Sequence, residues 1–324
     1  MPGFVRLDGL GAVPAQLRGA LVAIGSFDGF HRGHQYVLDR LKARANAEGR
    51  PALALTFEPH PRDVFAPEPF MFRLTPADAK ARLAEAMGLD GLVIMPFSRD
   101  LSRIAAEAFV TGFLVEALGV TGVVVGADFH FGRDRGGTPA FLREAGARHG
   151  FSVDILDLLP EGAEAVSSSR IRAALADGDV VAANGLLGYH WFISGPVVPG
   201  ERRGRELGFP TANIAVPTGF GLAQGVYAVR GLIDGRRLDG VASFGKPMFG
   251  DAPPPFEPHF FDFSEDIYGR DLSVALIAHI RGQEIYESLD ALIAAIARDS
   301  AKARLILADA APLSPIDTRL GFFG

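Results

Sequence analysis

The sequence predicts two domains of different class: an α/β domain built on a parallel sheet, followed by a β-rich domain that forms an antiparallel barrel with a terminal helix. Three observations lead there. In the first half, short apolar runs alternate with helical patterns, the order left by strand–helix–strand crossovers. From about residue 188 the pattern changes to short strands separated by Gly and Pro. The chain has 324 residues, 48% hydrophobic and 22% charged, enough for two domains at roughly 100–200 residues each and too apolar for disorder as its main state. The expected boundary divides residues 1–187 from residues 188–324.

The first strand is ALVAIGSF (20–27). HQYVLDRLKARANAEG (34–49) follows, with Tyr36, Val37, Leu38, Leu41 and Ala45 on one stripe and Arg40, Lys42 and Arg44 mostly elsewhere, so a helix packs on the sheet there. PALALTF (51–57), GLVIMPF (91–97) and TGVVVGA (121–127) supply further strands, and helices are expected at 76–87 and 103–117. In the second half GVYAVRGLI (225–233) and RRLDGVASF (236–244) read as strands. LSVALIAHI (272–280) puts Leu272, Val274, Leu276, Ala278 and Ile280 on one face at period two. Ser288 can cap a helix that carries Leu289, Leu292, Ile293, Ile296 and Ala303 and ends near Leu307. The tail 312–324 has no clear periodicity, and its terminal Phe322 and Phe323, expected to be exposed, read either as a contact or, more simply, as a disordered apolar end.

Composition excludes several functions. Lys and Arg total 32 against 38 Asp and Glu, a net charge of −6, which gives no general attraction to nucleic acid or an anionic membrane. Anionic ligands must therefore be caught locally. Without cysteine there are no disulfides, thiolate nucleophiles or Cys-based metal sites, which fits a reducing compartment. No 18-residue apolar run and no signal-type leader is present, so a cytoplasmic location is expected.

Two strings carry chemistry. GSFDGFHRGH (25–34) lies between a strand and an amphipathic helix, placing His31 and His34 where free backbone N–H groups attract phosphate. Gly25, Gly29 and Gly33 permit tight backbone geometry, and two imidazoles three residues apart can face one anion. A capped helix with surface histidines, or two ligands of a metal site, are the plainer readings. GPVVPGERRGRELGFPTANI (195–214) is a Gly-punctuated basic loop ending in Pro-Thr-Ala-Asn, and short polar groups after the fixed φ of Pro210 suit a metal–phosphate corner. On RRGR alone, a basic turn with solvated arginines is the simpler account.

These strings also carry a resemblance. GSFDGFHRGH is similar to the signature of the HxGH nucleotidyltransferases, and TFEPHP (56–61), VVVGADFHFGRDRGGT (123–138) and SSSRIR (167–172) resemble the later motifs of bacterial FAD synthetases. The 195–214 string resembles the riboflavin-kinase signature that bifunctional members carry in a C-terminal β-barrel. The resemblance spans roughly residues 15–310. It implies a Rossmann-like nucleotidyltransferase domain that adenylylates FMN, a riboflavin-kinase-like barrel, and riboflavin, FMN, ATP and Mg²⁺ as substrates and cofactor, with neither nucleic acid nor membrane as a partner.

By that resemblance His31, His34, Ser168, Ser169 and Arg170 stabilise charge on the ATP phosphates. Gly25, Phe27, Asp28, Gly29, Gly33, His60, Asp128 and Arg172 belong to the nucleotide and flavin site. Arg172 reads equally as a solvated charge, and Glu58 and His60 as ordinary loop residues. In the second domain Gly200, Arg203, Gly204, Arg205, Gly208 and Pro210 shape the nucleotide loop, Thr211 and Asn213 hold Mg²⁺, and Glu257 takes the proton of the riboflavin hydroxyl. The chemistry agrees: an FMN phosphate, with a second pKa near ~6, is already ionised and needs no base, whereas a primary alcohol does.

The chain departs from the family pattern in three places. Ser169 replaces Thr. Ser243 replaces Asn. Lys246, Pro247 and Met248 stand where Arg-Pro-Thr is usual, one residue short, and prolines 253–255 and 258 surround Glu257, so its strand is expected at an edge or irregular. Three functions follow: a bifunctional enzyme, an FMN adenylyltransferase with an inactive flavin-binding barrel, or a flavin-binding regulatory protein without turnover. For the first domain alone, HxGH transferases of pantetheine, nicotinate or choline phosphates are further readings.

Overall fold

The computed structural model describes residues 3–67, 71–157, 160–161, 164–200, 204, 208–217, 219–245 and 255–324. The chain divides into two compact units, Met1–Ser167 and Ser168–Gly324. The expected change of pattern at 188 falls just before the first strand of the second unit's sheet, while two helices ahead of it pack within the second unit.

In the first unit, β1 (Val5–Asp8), β2 (Leu21–Ile24), β3 (Ala52–Glu58), β4 (Gly91–Pro96), β5 (Gly122–Gly126) and β6 (Ser152–Leu156) form one sheet in the order β1-β4-β3-β2-β5-β6. Every pairing is parallel. All four residues of β2 are buried and β4 is buried except at its last residue, which is why these strands read as unbroken apolar runs rather than as alternation. β1 is a strand that the sequence reading does not contain. Helix α1 (Arg32–Glu48) starts two residues earlier than expected and ends at Gly49, whose φ of 62° closes it in the left-handed region. Short α2 (Pro61–Phe65) and α3 (Ala77–Ala86) follow β3.

The helix expected over 103–117 is broken: α4 (Arg99–Ser102) and α5 (Ala106–Phe109) lead into a π-helix, Val110–Leu118. Its wider turn brings Phe109, Val110, Leu114 and Leu118 together in the core against Val22, Leu53, Val123 and Leu142. Helix α6 (Pro139–His149) and a two-residue hairpin, β7 (Pro160–Glu161) with β8 (Glu164–Ala165), complete the unit.

The second unit opens with α7 (Ser168–Ala176) and α8 (Val180–Leu187). Asn184 of α8 is buried and spans two backbones, donating to Leu276 O at 2.9 Å and accepting from Trp191 N at 2.8 Å. Strands β9 (Phe192–Pro196), β10 (Gly225–Ile233), β11 (Arg236–Phe244), β12 (Phe256–Phe260) and β13 (Asp271–Gly282) form an antiparallel sheet in the order β12-β11-β10-β13-β9. Asp234-Gly235, with φ of 46° and 75°, turns β10 into β11. Single bridges from Ile214 to Val197, just past β9, and to Phe256 of β12 join the sheet's two edge strands. The sheet thus closes on itself as a barrel.

Helix α9 (Leu289–Asp309) is capped by Ser288, whose side chain accepts from Ala291 N. The tail corrects the expectation of disorder. Helix α10 (Pro315–Arg319) forms there, Phe322 is fully buried, and Phe323 is 5% exposed. Arg230, on β10, explains why: its guanidinium lies 4.5 Å from the Phe323 ring centroid and donates to Leu307 O at 3.1 Å and Phe322 O at 3.5 Å. Buried Asp317 accepts from His190 N and Leu313 N at 2.8 Å each. Arg230 and His190 lie more than eighty residues from the tail, so no local pattern announces them.

Candidate active sites

In the first unit, chain order reverses between β2 and β5, and a ligand crevice in such a sheet lies beyond the strand ends at that reversal. The 25–34 turn leaves the end of β2 there, and Asp128 follows β5, exposed. The turn is tightly wound. Phe27 and Phe30 both hold positive φ, 45° and 41°, an uncommon conformation for large side chains. Both rings are buried and stack at 5.4 Å. Gly29 has φ 90°, and a Cβ on Gly33 would sit 3.1 Å from the His31 ring. Gly25 lies against the Phe27 ring.

His31 is the N-cap of α1: its Nδ1 accepts from His34 N at 3.3 Å. An accepting Nδ1 leaves the ring proton on Nε2. The His31 and His34 rings stack at 3.7 Å with an interplanar angle of 18°. Burial pushes His31 down to about 4, against the opposing pull of Asp28. Burial, then His31 and Lys80, holds His34 well below the ordinary histidine value. Both are neutral at pH 7, and neutral rings can stack where two imidazolium ions would repel. His34 Nδ1 is buried without a hydrogen-bond partner, an arrangement that costs about 1–3 kcal/mol and that a bound ligand can relieve. No set of three His, Asp or Glu side chains among the described residues is arranged to hold a metal, so the stacked histidines do not belong to such a set.

Asp28, 1% exposed, turns inward. Its carboxylate accepts from Thr75 N at 2.9 Å, Leu74 N at 3.3 Å and Thr75 Oγ1 at 3.2 Å. His60 is the N-cap of α2, accepting from Arg62 N at 3.2 Å, and burial followed by the charge of Arg73 lowers it to about 4. Glu58, at the end of β3, pairs with Arg73 at 2.5 Å and Lys80 at 2.9 Å. Ser168, Ser169, Arg170 and Arg172 open α7 in the second unit, with Ser169 exposed and the other three half-buried.

In the second unit the Pro210–Ile214 segment lies between the end of β9 and β12. Val198 N donates to Asn213 O at 2.9 Å, Ala212 N to Pro258 O at 2.9 Å, and Ile214 N to Phe256 O at 3.0 Å. That ladder sets Asn213 directly opposite Glu257, and β11 sets Ser243 opposite Glu257 on the other side. Directly opposed residues share a face of the sheet, so Asn213, Glu257 and Ser243 form one row. Asn213 is 8% exposed, while Thr211 and Glu257 are half-buried. A Cβ on Gly200 would collide with the Asn213 side chain, and one on Gly204 with the Phe209 carbonyl. Gly208 has φ 83°, and the carbonyl of half-buried Pro210 accepts from His259 Nδ1 at 2.8 Å. Arg203, Arg205, Lys246, Pro247, Met248, Pro253 and Pro254 lie outside the described residues. β12 is an edge strand of the five-stranded sheet, the position expected from the prolines around Glu257.

Comparison with known proteins gives these two sites a common context. Residues 13–170 match the FAD synthetase family model and residues 187–307 the riboflavin kinase model. The chain is 40% identical over 305 residues to the bifunctional riboflavin kinase/FMN adenylyltransferase of Pseudomonas fluorescens, covering 94% of this chain and 98% of that protein. It is 38% identical to the protein of the same name from Escherichia coli K12, over 90% and 93%. The chain belongs to the bifunctional riboflavin kinase/FMN adenylyltransferase family.

The same fold occurs in a Streptococcus pneumoniae crystal structure described as a macrolide-efflux protein, with TM-score 0.80, 28% identity, and coverage of 93% of this chain and 98% of that one. Among the described residues here, no helix is long and apolar enough to cross a membrane. As a bifunctional riboflavin kinase/FMN adenylyltransferase family member, the chain carries both enzyme domains of that family. Sequence reasoning misses Thr75, Arg73 and Lys80, which contact the 25–34 turn or the end of β3 from 15 to 54 positions away. It also misses His259. None of the four sits in a motif string that reports its partner.

Proposed function

We propose that residues 188–324 phosphorylate riboflavin to FMN with ATP and that residues 1–187 adenylylate FMN to FAD with a second ATP. The observation that carries this reading is the coincidence of both motif sets with both built sites: the stacked His31–His34 pair at the sheet reversal, and the Asn213–Glu257–Ser243 row at the barrel seam.

In the kinase step the riboflavin 5′-hydroxyl oxygen forms a bond to the γ-phosphorus, the β–γ bridging bond breaks, ADP leaves, and Glu257 accepts the hydroxyl proton. Hydroxyl, amide and carboxylate oxygens from Thr211, Asn213 and Glu257 are the hard donors that Mg²⁺ takes. Thr211 and Asn213 would hold the ion, which would supply charge neutralisation at the ATP phosphates. Gly200 and Gly204 let the nucleotide loop approach closely, and Gly208, Pro210, Arg203 and Arg205 are assigned to nucleotide binding by motif resemblance.

In the adenylyl step a phosphate oxygen of FMN, already ionised, forms a bond to the α-phosphorus and pyrophosphate leaves. No base is required, so catalysis rests on positioning and on donors aimed at developing charge. His31 offers Nε2–H, and the positive end of the α1 dipole adds to it. Ser168, Ser169 and Arg170 act on the phosphates by motif resemblance, as do Arg172, His60 and Asp128 in binding. Asp28 shapes the turn through the 74–75 backbone. The compartment we assign is the cytoplasm, supported by a chain without cysteine.

The test is chromatographic separation of flavins after incubation with Mg-ATP and either riboflavin or FMN. FAD from both substrates is expected. FAD from FMN alone would leave an inactive barrel, the reading favoured by Ser243 standing opposite Glu257 in place of the family's Asn. Unchanged FAD formation in the His31→Ala, His34→Ala double variant would overturn the first assignment.

A further inference from the structure

Lys80, on α3, has no solvent exposure. An ammonium carries three N–H donors, and this one has three acceptors: Ser26 O at 2.7 Å, Thr56 Oγ1 at 3.1 Å and Glu58 Oε1 at 2.9 Å. Thr56 Oγ1 itself donates to Ser26 O at 2.8 Å. Ser26 immediately precedes Phe27, where the backbone enters the left-handed region and the turn toward His31 begins. One buried side chain therefore ties the start of that turn to the end of β3.

Two effects compete for the reason a charge is buried here. Attraction of an anionic substrate is weak, because the cations Lys80 and Arg73 are matched by Glu58 and Asp28 close by. Stability alone does not require it either, since a buried ion pair is often replaceable by apolar residues of similar volume at little cost. Geometry remains: the ammonium donates at once to the Ser26 carbonyl, the Thr56 hydroxyl and the Glu58 carboxylate, three acceptors that call for three N–H donors on one atom.

We propose that Lys80 is a positioning residue of the adenylyl-transfer site, its buried ammonium holding Ser26, Thr56 and Glu58 together so that the turn presents His31 and His34 in register. The inference rests on the reading of that site given above. Lys80 also opposes protonation of His34, together with His31. The titratable groups around this cluster are His31, His34 and Asp28 of the turn, Glu58 of β3, His60 and Asp63 at the start of α2, Arg73, and Lys80 of α3.

The experiment uses the full chain with Lys80→Met, which keeps the apolar stem, and His34→Ala alongside. Rates of FAD formation from FMN and of FMN formation from riboflavin are measured in each, with pH profiles for the first. For Lys80→Met, kcat for FAD formation should fall about 10- to 100-fold, the scale of a sub-ångström to ångström misplacement. KM for ATP and FMN should stay within threefold and riboflavin phosphorylation within twofold. The acid limb of the FAD-forming profile should move to higher pH, because a cation that opposed His34 protonation is gone. FAD formation within threefold of the parent overturns the inference, as does a loss carried by KM with an unmoved acid limb. If Lys80→Met does not fold, Lys80→Leu, which likewise has no donor for Ser26 O, is judged by the same limits. Full activity in His34→Ala overturns the site reading and this inference together, whereas its loss beside an active Lys80→Met overturns this inference alone.

Discussion

Glu257 faces Asn213 on one side and Ser243 on the other, and its assigned work is to take a proton that riboflavin does not release unaided at pH 7. Glu257→Gln keeps the shape and removes the base. Riboflavin phosphorylation should then fall about 10²- to 10⁴-fold, while FAD formation from supplied FMN stays at the parent rate; coupled ADP release and flavin chromatography check the two. His31 makes a second expectation. A His31→Ala change removes the N-cap of α1 and opens the stacked pair, so it should cost about 1 kcal/mol in stability beyond its effect on turnover, read from denaturant midpoints. The spacing of His31 and His34 is legible in the sequence because helix geometry alone puts i and i+3 on one side. Lys80 and Thr75 are not, since a lone Lys inside a helical pattern reads as a solvated charge until the fold brings Ser26 and Glu58 to it.

At the scale of elements, the apolar runs at 51–57, 91–97 and 121–127 announce their strands because parallel strands are covered on both faces. The 103–117 helix is less legible. Its apolar stripe is real, yet the chain follows a π-helix over Val110–Leu118, and widening the turn leaves no mark on residue type. The tail shows the opposite failure: Phe322 and Phe323 carry no local signal because Phe192, which packs on Phe322, and Arg230 and His190, which receive Phe323, come from distant segments. Phe322→Ala, at a fully buried site, should cost about 3–5 kcal/mol, seen as a lowered midpoint in thermal or denaturant unfolding. Removing residues 312–324 should cost at least as much. It also takes away Asp317, leaving His190 N without its acceptor.

Across the whole molecule, the sequence reading separates two chemistries correctly because each is carried by a continuous string, but it does not predict how acid acts on the chain. His31, held at about 4 when folded and near 6.5 when unfolded, binds its proton more readily in the unfolded state. Stability of the first unit is therefore full above about pH 6.5 and is lost as pH falls toward 4, with a slope of up to about 1.4 kcal/mol per pH unit from this group. His60 shifts the same way and contributes less, being more exposed. Denaturant titrations at pH 7, 6 and 5 should show the decline, and His31→Ala should flatten it. In the second unit, the two bonds at Ile214 act as the clasp of a bracelet. The amides of Ile214 and Phe256 then serve as a clock for occupancy: on the proposed assignment of Thr211 and Asn213 to Mg-ATP, adding Mg-ATP should slow their exchange with deuterium, reporting binding at the backbone before any product forms.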